Sequence, residues 1–249
     1  MPARCAYISL GSNQGDSAET IRQSLDQLNE HAEIQVVRSS SLYQTAAVGN
    51  VAGPPFLNAA AELSTSLPPL ELLHQLQLIE QKLGRIRTVH WGPRTLDLDL
   101  LFYENEILNT EELTIPHPAA WYRRFVLAPL AEIAPGFDHP VLKTSIEELY
   151  ARTCQDSIRV AVLGTTDELS SIHEIASEFP QIEIHPVSTS EEMRKTYIFI
   201  LEISSEHGLS GFEVPVPTLI SLRNLPEDRL RQSILDLFSA VTGAVQRLN

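Results

Sequence analysis

An α+β sandwich with a β-α-β-β-α-β core, followed by a second, smaller α/β domain at the C-terminal side, is the fold class that this 249-residue chain predicts. Three observations predict it. Apolar residues switch between strand and helix periods in that order up to Tyr103, Gly and Pro mark the switches, and a similar alternation restarts beyond about Cys154. With 43% hydrophobic and only 20% charged residues, the chain can bury a core and is not disordered.

The elements follow in order. Residues 5–10 are a short apolar run closed by Gly11-Ser12-Asn13, which reads as a buried strand ending in a turn. Over 17–31 Ile21, Leu25 and Leu28 recur at helical spacing, with Asp16 or Ser17 as the cap. Residues 34–44 and 56–63 read as strands joined by a long hairpin loop that holds Gly49, Gly53, Pro54 and Pro55. Pro68 and Pro69 suit the first turn of a helix lined by Leu72, Leu73, Leu76, Ile79 and Leu83 and stopped at Gly84. A strand over 96–103 completes the order of ferredoxin-like sandwiches, and helical cover over 124–134, with a kink or break at Pro129, follows. Domain 1 is expected over 1–155. Domain 2, over 156–249, reads as strands at 158–163, 182–186, 197–203 and 218–222 with helices at 167–179 and 226–248.

Composition narrows the function classes. The net charge is −14, with 10 basic against 18 acidic residues up to Tyr150 and 8 against 14 beyond it. Neither half carries a basic footprint, so nucleic acid is excluded as an expected partner. Cys5 and Cys154 lie far apart without metal-type spacing, which fits a reducing compartment. No run of eighteen apolar residues and no signal-like start occurs, so the expectation is a soluble cytoplasmic protein away from membranes.

The densest chemical signal is Arg94-Thr95-Leu96-Asp97-Leu98-Asp99-Leu100-Leu101. On a strand, Asp97 and Asp99 share a face with Cα atoms ~7 Å apart, while Leu96, Leu98 and Leu100 face the core. Two carboxylates converging beside apolar packing suit a hard divalent cation such as magnesium, completed by water and phosphate oxygens. A half-exposed strand with its polar side in water is the alternative. Just upstream, Arg85, Arg87, His90 and Arg94 come without any acidic residue, around Trp91-Gly92-Pro93. Guanidinium groups grip phosphate in bidentate fashion, although three arginines also make an ordinary solvated face. Cations followed at once by paired carboxylates describe a metal–nucleotide site.

Gly84-Arg85-Ile86-Arg87, Trp91-Gly92-Pro93-Arg94-Thr95-Leu96-Asp97-Leu98-Asp99, and Pro116-His117-Pro118 with Arg123-Arg124-Phe125 closely resemble the signature segments of hydroxymethyldihydropterin pyrophosphokinases. So do Leu10-Gly11-Ser12-Asn13 and Phe56-Leu57-Asn58-Ala59-Ala60, and the likeness spans about residues 6–149. The resemblance implies that Asp97 and Asp99 bridge two magnesium ions on ATP, with Arg85 and Arg94 on phosphate. It assigns Gln77, Glu80, Arg87, Trp91, Thr114, His117 and Arg123 to nucleotide contacts. Thr45, Ala46, Val48, Phe56 and Asn58 align with the pterin pocket, with Trp91 and Phe125 as stacking faces. Glu112 and His90 stand where some members carry basic residues, and Ala46, Trp121 and Pro118 replace ligand-contacting residues of certain relatives.

The activity so implied is transfer of pyrophosphate from ATP to the hydroxymethyl group of 6-hydroxymethyl-7,8-dihydropterin, releasing AMP, in folate biosynthesis. A catalytically reduced pterin or nucleotide binding module and a metal-dependent nucleotidyl transferase on another acceptor are the rival readings. The second domain lacks a P-loop at Gly164-Thr165-Thr166-Asp167, and a structural or partner-binding role, as in a homodimer, is expected of it.

Overall fold

Alternation along β1 (Arg4–Ser12) organises the larger half of the molecule: Ala6, Ile8 and Leu10 are buried on one side, and Tyr7, Ser9 and Gly11 look the other way. The computed structural model describes residues 2–46, 54–85, 95–187, 197–203, 219–223 and 225–248. It is a mixed α/β structure that divides into two compact units, residues 1–150 with 243–249 (unit 1) and residues 151–242 (unit 2).

In unit 1, α1 (Ser17–Glu30) is capped by the Asp16 carboxylate, which accepts from the Glu19 N–H at 3.0 Å, and it buries Ile21 and Leu28. Next come β2 (Ile34–Ser39), β3 (Tyr43–Thr45) and β4 (Phe56–Thr65). The single strand expected over 34–44 is thus two. The pairing of β2 and β3 with β4 slips by one residue, from Ser39 opposite Ala61 to Tyr43 opposite Asn58. Ser40 explains the break: its hydroxyl, rather than a backbone carbonyl, accepts from the Ala60 N–H at 3.0 Å.

Helix α2 (Pro69–Lys82) starts with proline in its first turn and buries Leu72, Leu76 and Ile79. It ends at Gly84, whose φ of +87° is a left-handed conformation that a side chain would strain. β5 (Asp97–Tyr103) then pairs with β1. The antiparallel order β5-β1-β4, with β2 and β3 end to end beyond β4, leaves α1 and α2 packed on one face. Ala6, Ile8, Leu10, Ala61, Leu63, Leu98 and Leu100 form the sheet side of that core. The short pair β6 (Leu108–Asn109) and β7 (Thr114–Ile115) leads to α3 (Arg124–Ile133), which keeps its helix through the buried Pro129. Beyond it lies α4 (Ile146–Thr153), which the periodicity did not signal.

Unit 2 contains β8 (Ile158–Leu163), α5 (Thr166–Ala176), β9 (Ile182–Pro186), β10 (Phe199–Glu202), β11 (Leu219–Ser221) and α6 (Glu227–Thr242). Its described strands form a parallel sheet in the order β11-β10-β8-β9. A helix was expected to run to residue 248. Instead α6 stops at Thr242 ahead of Gly243, and β12 (Val245–Arg247) pairs with β3, so residues 243–249 lie with unit 1 rather than in the second domain. Gly243 breaks helix, and the β-branched Val245 beyond it suits a strand.

Candidate active site

Strand pairing lines the functional side chains up in rows across the face opposite α1 and α2. Gly11 stands opposite Asn58 on β4 and opposite Asp97 on β5, and Ser9 stands opposite Asp99. Beyond Asn58, Tyr43 and Thr45 of β3 continue the face, and the buried Asn58 donates from Nδ2 to Thr45 Oγ1 at 3.0 Å. A Cβ at Gly11 would lie 3.5 Å from Asn58 Oδ1 and 3.9 Å from Asp97 Cβ, filling the gap that glycine leaves between the polar pair and the first carboxylate. Phe56, half-buried, pairs with Thr45 at the start of β4, and Ala46 is exposed just after it.

A bulge re-phases β5. Leu98 and Leu100 pack into the α1–α2 core, yet Phe102, at the same parity, pairs with Tyr7 on the opposite face, because Leu101 is an extra residue between Leu100↔Ile8 and Phe102↔Tyr7. The bulge frees the Leu101 carbonyl, which accepts the backbone N–H of His117 at 2.9 Å. His117 is thereby brought beside the carboxylates. Its imidazole is drawn below its ordinary pKa by burial, pushed up by Asp99 and Asp97 and down by Arg123. Arg123 caps α3 and lies 5.8 Å over the ring of Phe125, which is half-buried in the first turn.

Glu80 differs from the expectation. It was grouped with Gln77 as a nucleotide contact from an α2 face, but it is only 2% exposed. Its Oε1 accepts the Leu98 N–H at 2.8 Å and pairs with Arg85. Arg85 Nη1 in turn reaches Asp97 Oδ1 at 2.6 Å. Buried on the inner side of α2, Glu80 therefore ties the helix end to the strand that carries both carboxylates, and it sets the position of Arg85. Gln77 is half-buried on α2 and Thr114 half-buried on β7. Glu112, exposed, has His74 4.0 Å away, and the Pro118 carbonyl accepts the Trp121 indole N–H at 3.0 Å. Val48, Arg87, His90, Trp91 and Arg94 lie outside the described residues.

Two signals were missed in the sequence. Small residues at Ser9 and Gly11, on the opposite parity to Ile8 and Leu10, mark an open strip of sheet beside Asp97 and Asp99. The acid Glu80, two turns beyond Leu72 on the buried stripe of α2, was a charge on an apolar face and so a group in need of a partner.

The chemistry of the donors fits a divalent cation. Asp97 and Asp99 offer hard oxygens on one face, and the position beside Asp97 already holds a positive group, the Arg85 guanidinium. Among the described residues no cluster of three or more His, Cys, Asp or Glu side chains is arranged as a metal cage. Among the described residues, Asp97 and Asp99 are the side chains that would hold such an ion.

The model of the 7,8-dihydro-6-hydroxymethylpterin-pyrophosphokinase family matches residues 7–135, from the middle of β1 to just past α3. The chain belongs to this family. Among curated pyrophosphokinases, all called 2-amino-4-hydroxy-6-hydroxymethyldihydropteridine pyrophosphokinase, that of Bacillus subtilis is 47% identical over 155 residues, covering 62% of this chain and 89% of its own. That of Synechocystis sp. is 48% identical over 141 residues, covering 56% of this chain and 72% of its own. The Haemophilus influenzae pyrophosphokinase is 45% identical over 129 residues, 52% of this chain and 81% of its own. The region shared with the pyrophosphokinase model holds every residue of the cross-strand rows and the Glu80–Arg85–Asp97 chain.

Proposed function

We propose that this chain transfers the pyrophosphoryl group of ATP to the hydroxymethyl oxygen of 6-hydroxymethyl-7,8-dihydropterin, releasing AMP, as a step of folate biosynthesis. The observation that carries this reading is the shared face of Asp97 and Asp99 beside the Asn58–Thr45 pair, in a chain of the pyrophosphokinase family. In this reading the carboxylates are a charge-handling half and the Asn58–Thr45 pair an acceptor half on the same sheet, with Gly11 between them.

In this reading Asp97 and Asp99 hold two magnesium ions, which when bound neutralise charge on the phosphate oxygens. Arg85 leaves Asp97 for the transferred group, and Arg94 joins it. Glu80 keeps Arg85 aimed through that exchange. Arg87, Trp91, Thr114, His117, Arg123 and Gln77 surround the nucleotide. Asn58 presents both a donor and an acceptor to the amide edge of the pterin, and Thr45, Ala46, Val48 and Phe56 line its sides, with Trp91 and Phe125 stacking on the ring. In this reading catalysis is positioning and charge neutralisation, and Asp97 would accept the hydroxyl proton.

The strand order β5-β1-β4 with β2 and β3 beyond, and helices between, supports a ferredoxin-like core. Among the described residues no helix is long and apolar enough to cross a membrane, and the net charge of −14 favours small-molecule partners over nucleic acid. A cytoplasmic location belongs to the same proposal.

Mass analysis of products after incubation with ATP, magnesium and hydroxymethyldihydropterin tests it. AMP and the pterin diphosphate ester are expected in equal amounts, and both disappear when EDTA removes the metal. Ligand binding without AMP, or free pyrophosphate instead of the ester, would refute it.

A further inference from the structure

The acceptor half of the site ends on a strand of three residues, β3. On one side β3 pairs with β4, bringing Thr45 to Asn58. On the other side it pairs with β12: Val245 stands opposite Thr45, Gln246 opposite Gln44 and Arg247 opposite Tyr43. The Leu248 N–H extends the ladder to the Leu42 carbonyl at 2.8 Å.

Side chains reinforce the ladder. Arg247 donates to Ser41 Oγ at 2.8 and 3.0 Å and to Glu132 Oε1 at 3.0 Å. Glu132, on α3, also accepts from the Ser41 N–H at 3.1 and 3.2 Å, the Ser41 hydroxyl at 3.0 Å and the Tyr43 hydroxyl at 2.8 Å. Burial raises the Glu132 carboxyl, but these bonds and the Arg247 charge outweigh it and leave its pKa below the ordinary range. Tyr43, by burial and its bond to that carboxylate, is pushed up to about 12. The strand that carries Thr45 is therefore gripped from both edges and from the helix above it.

We infer that residues 245–248 are a positioning strand for the acceptor, holding Thr45 and Asn58 in register from the far side of β3, with Val245 beside Thr45 on the same face. Directly opposite residues of an antiparallel pair bring their Cβ atoms to ~5 Å, so Val245 extends the wall that Thr45 begins. An edge strand of three residues has little ladder of its own, and a second partner removes the fraying that an unpaired edge allows. The inference rests on the proposed acceptor pocket. It has a consequence for the chain's layout: β12 is reached only through unit 2, so a cut after Asp156 removes β12 as well, and loss of turnover from that cut does not by itself assign a role to unit 2.

The test uses the full chain with Gln246→Pro, Arg247→Ala and Arg247→Lys. Leu248 points its N–H at β3, and by the alternation of antiparallel ladders Gln246 does the same, so proline there removes a ladder donor. KM for hydroxymethyldihydropterin and for ATP are measured separately, with the urea midpoint of each variant. Gln246→Pro is expected to raise the pterin KM about tenfold and Arg247→Ala about threefold, with the ATP KM within about twofold of wild type and lysine recovering part of the loss. Unchanged pterin KM, or pterin and ATP KM rising together in step with a lower urea midpoint, overturns the inference. Wild-type protein that forms no AMP and does not quench on addition of pterin overturns the acceptor reading itself, a result visible before any variant is made.

Discussion

In unit 1, Asp97 and Asp99 stand half-buried at the first and third positions of an antiparallel strand, on one face of it, and the Asp97 side chain is 22% exposed. In unit 2, Glu202 stands at the last position of a parallel strand, its side chain 4% exposed and paired with Arg223. The difference follows from sheet type. A parallel sheet favours near-continuous apolar strands, as in Ile158–Leu163 and Phe199–Glu202, and the charge of Glu202, buried at the end of one of them, is met by Arg223. An antiparallel sheet with one open face alternates, and alternation can set two carboxylates side by side where a ligand meets them. Carboxylates in the two units should therefore fail differently when removed.

The largest effect is expected at Asp99. Asp99→Ala should lower AMP formation by about a thousandfold or more while the urea midpoint stays near wild type, because a group that stabilises transferring phosphate acts on the reaction rather than on the fold. Near-normal AMP release would erase the contrast with unit 2. Phe238→Ala, at a fully buried ring of α6 that stacks near Phe199 and Phe179, should cost unit 2 about 3–5 kcal/mol. Calorimetry should show the transition of unit 2 moving while AMP formation at 25 °C is kept, provided the variant remains folded at that temperature.

Glu80→Ala sharpens the comparison from inside unit 1, for it leaves the Leu98 N–H without its acceptor and the 15%-exposed Arg85 with Asp97 but not the buried Glu80 carboxylate. A loss of about 3 kcal/mol in urea unfolding, together with reduced turnover, is expected of this buried pair. An effect on turnover alone would make Glu80 a ligand contact after all.

A pH effect of somewhat smaller size centres on His139, which is 1% exposed and accepts the Val141 and Leu142 N–H groups on Nδ1 at 3.2 Å. Burial pushes its pKa down to about 4 from 6.5. The unfolded chain takes a proton below 6.5 that the folded protein refuses until about 4. Stability is thus full above the upper value and falls with pH between the two, by up to roughly 3 kcal/mol. Urea midpoints at pH 7 and 5 should differ in wild type and converge in His139→Gln. The smallest effect is at Thr165, whose hydroxyl and Glu168 form a capping box on α5. Thr165→Ala should cost unit 2 about 1 kcal/mol and leave AMP formation untouched.

Much of the site was legible because it is local. Asp97 and Asp99 share a face by strand parity alone, and the α2 stop at Gly84 follows from one residue's conformational freedom. The extra residue Leu101 was not legible. A bulge depends on how two strands find their register, and only the partner β1 reveals that Phe102 turns to the face of Tyr7. The burial of Glu80 was not legible for a related reason: helical spacing puts it near Gln77, but its burial depends on where Arg85 and the Leu98 amide arrive.

The sequence by itself determined the order of strands and helices through β5 apart from the break between β2 and β3, the helix stop at Gly84, and the pairing of two carboxylates on one strand face, since each depends on neighbours within a few positions. Only the tertiary structure decided that Gly11 separates Asn58 from Asp97, that His117 docks on a bulge carbonyl, and that Val245–Arg247 returns from beyond unit 2 to flank Thr45. Those contacts join residues far apart along the chain, and their register is chosen by packing of the whole sheet, a long-range free energy that local periodicity does not carry.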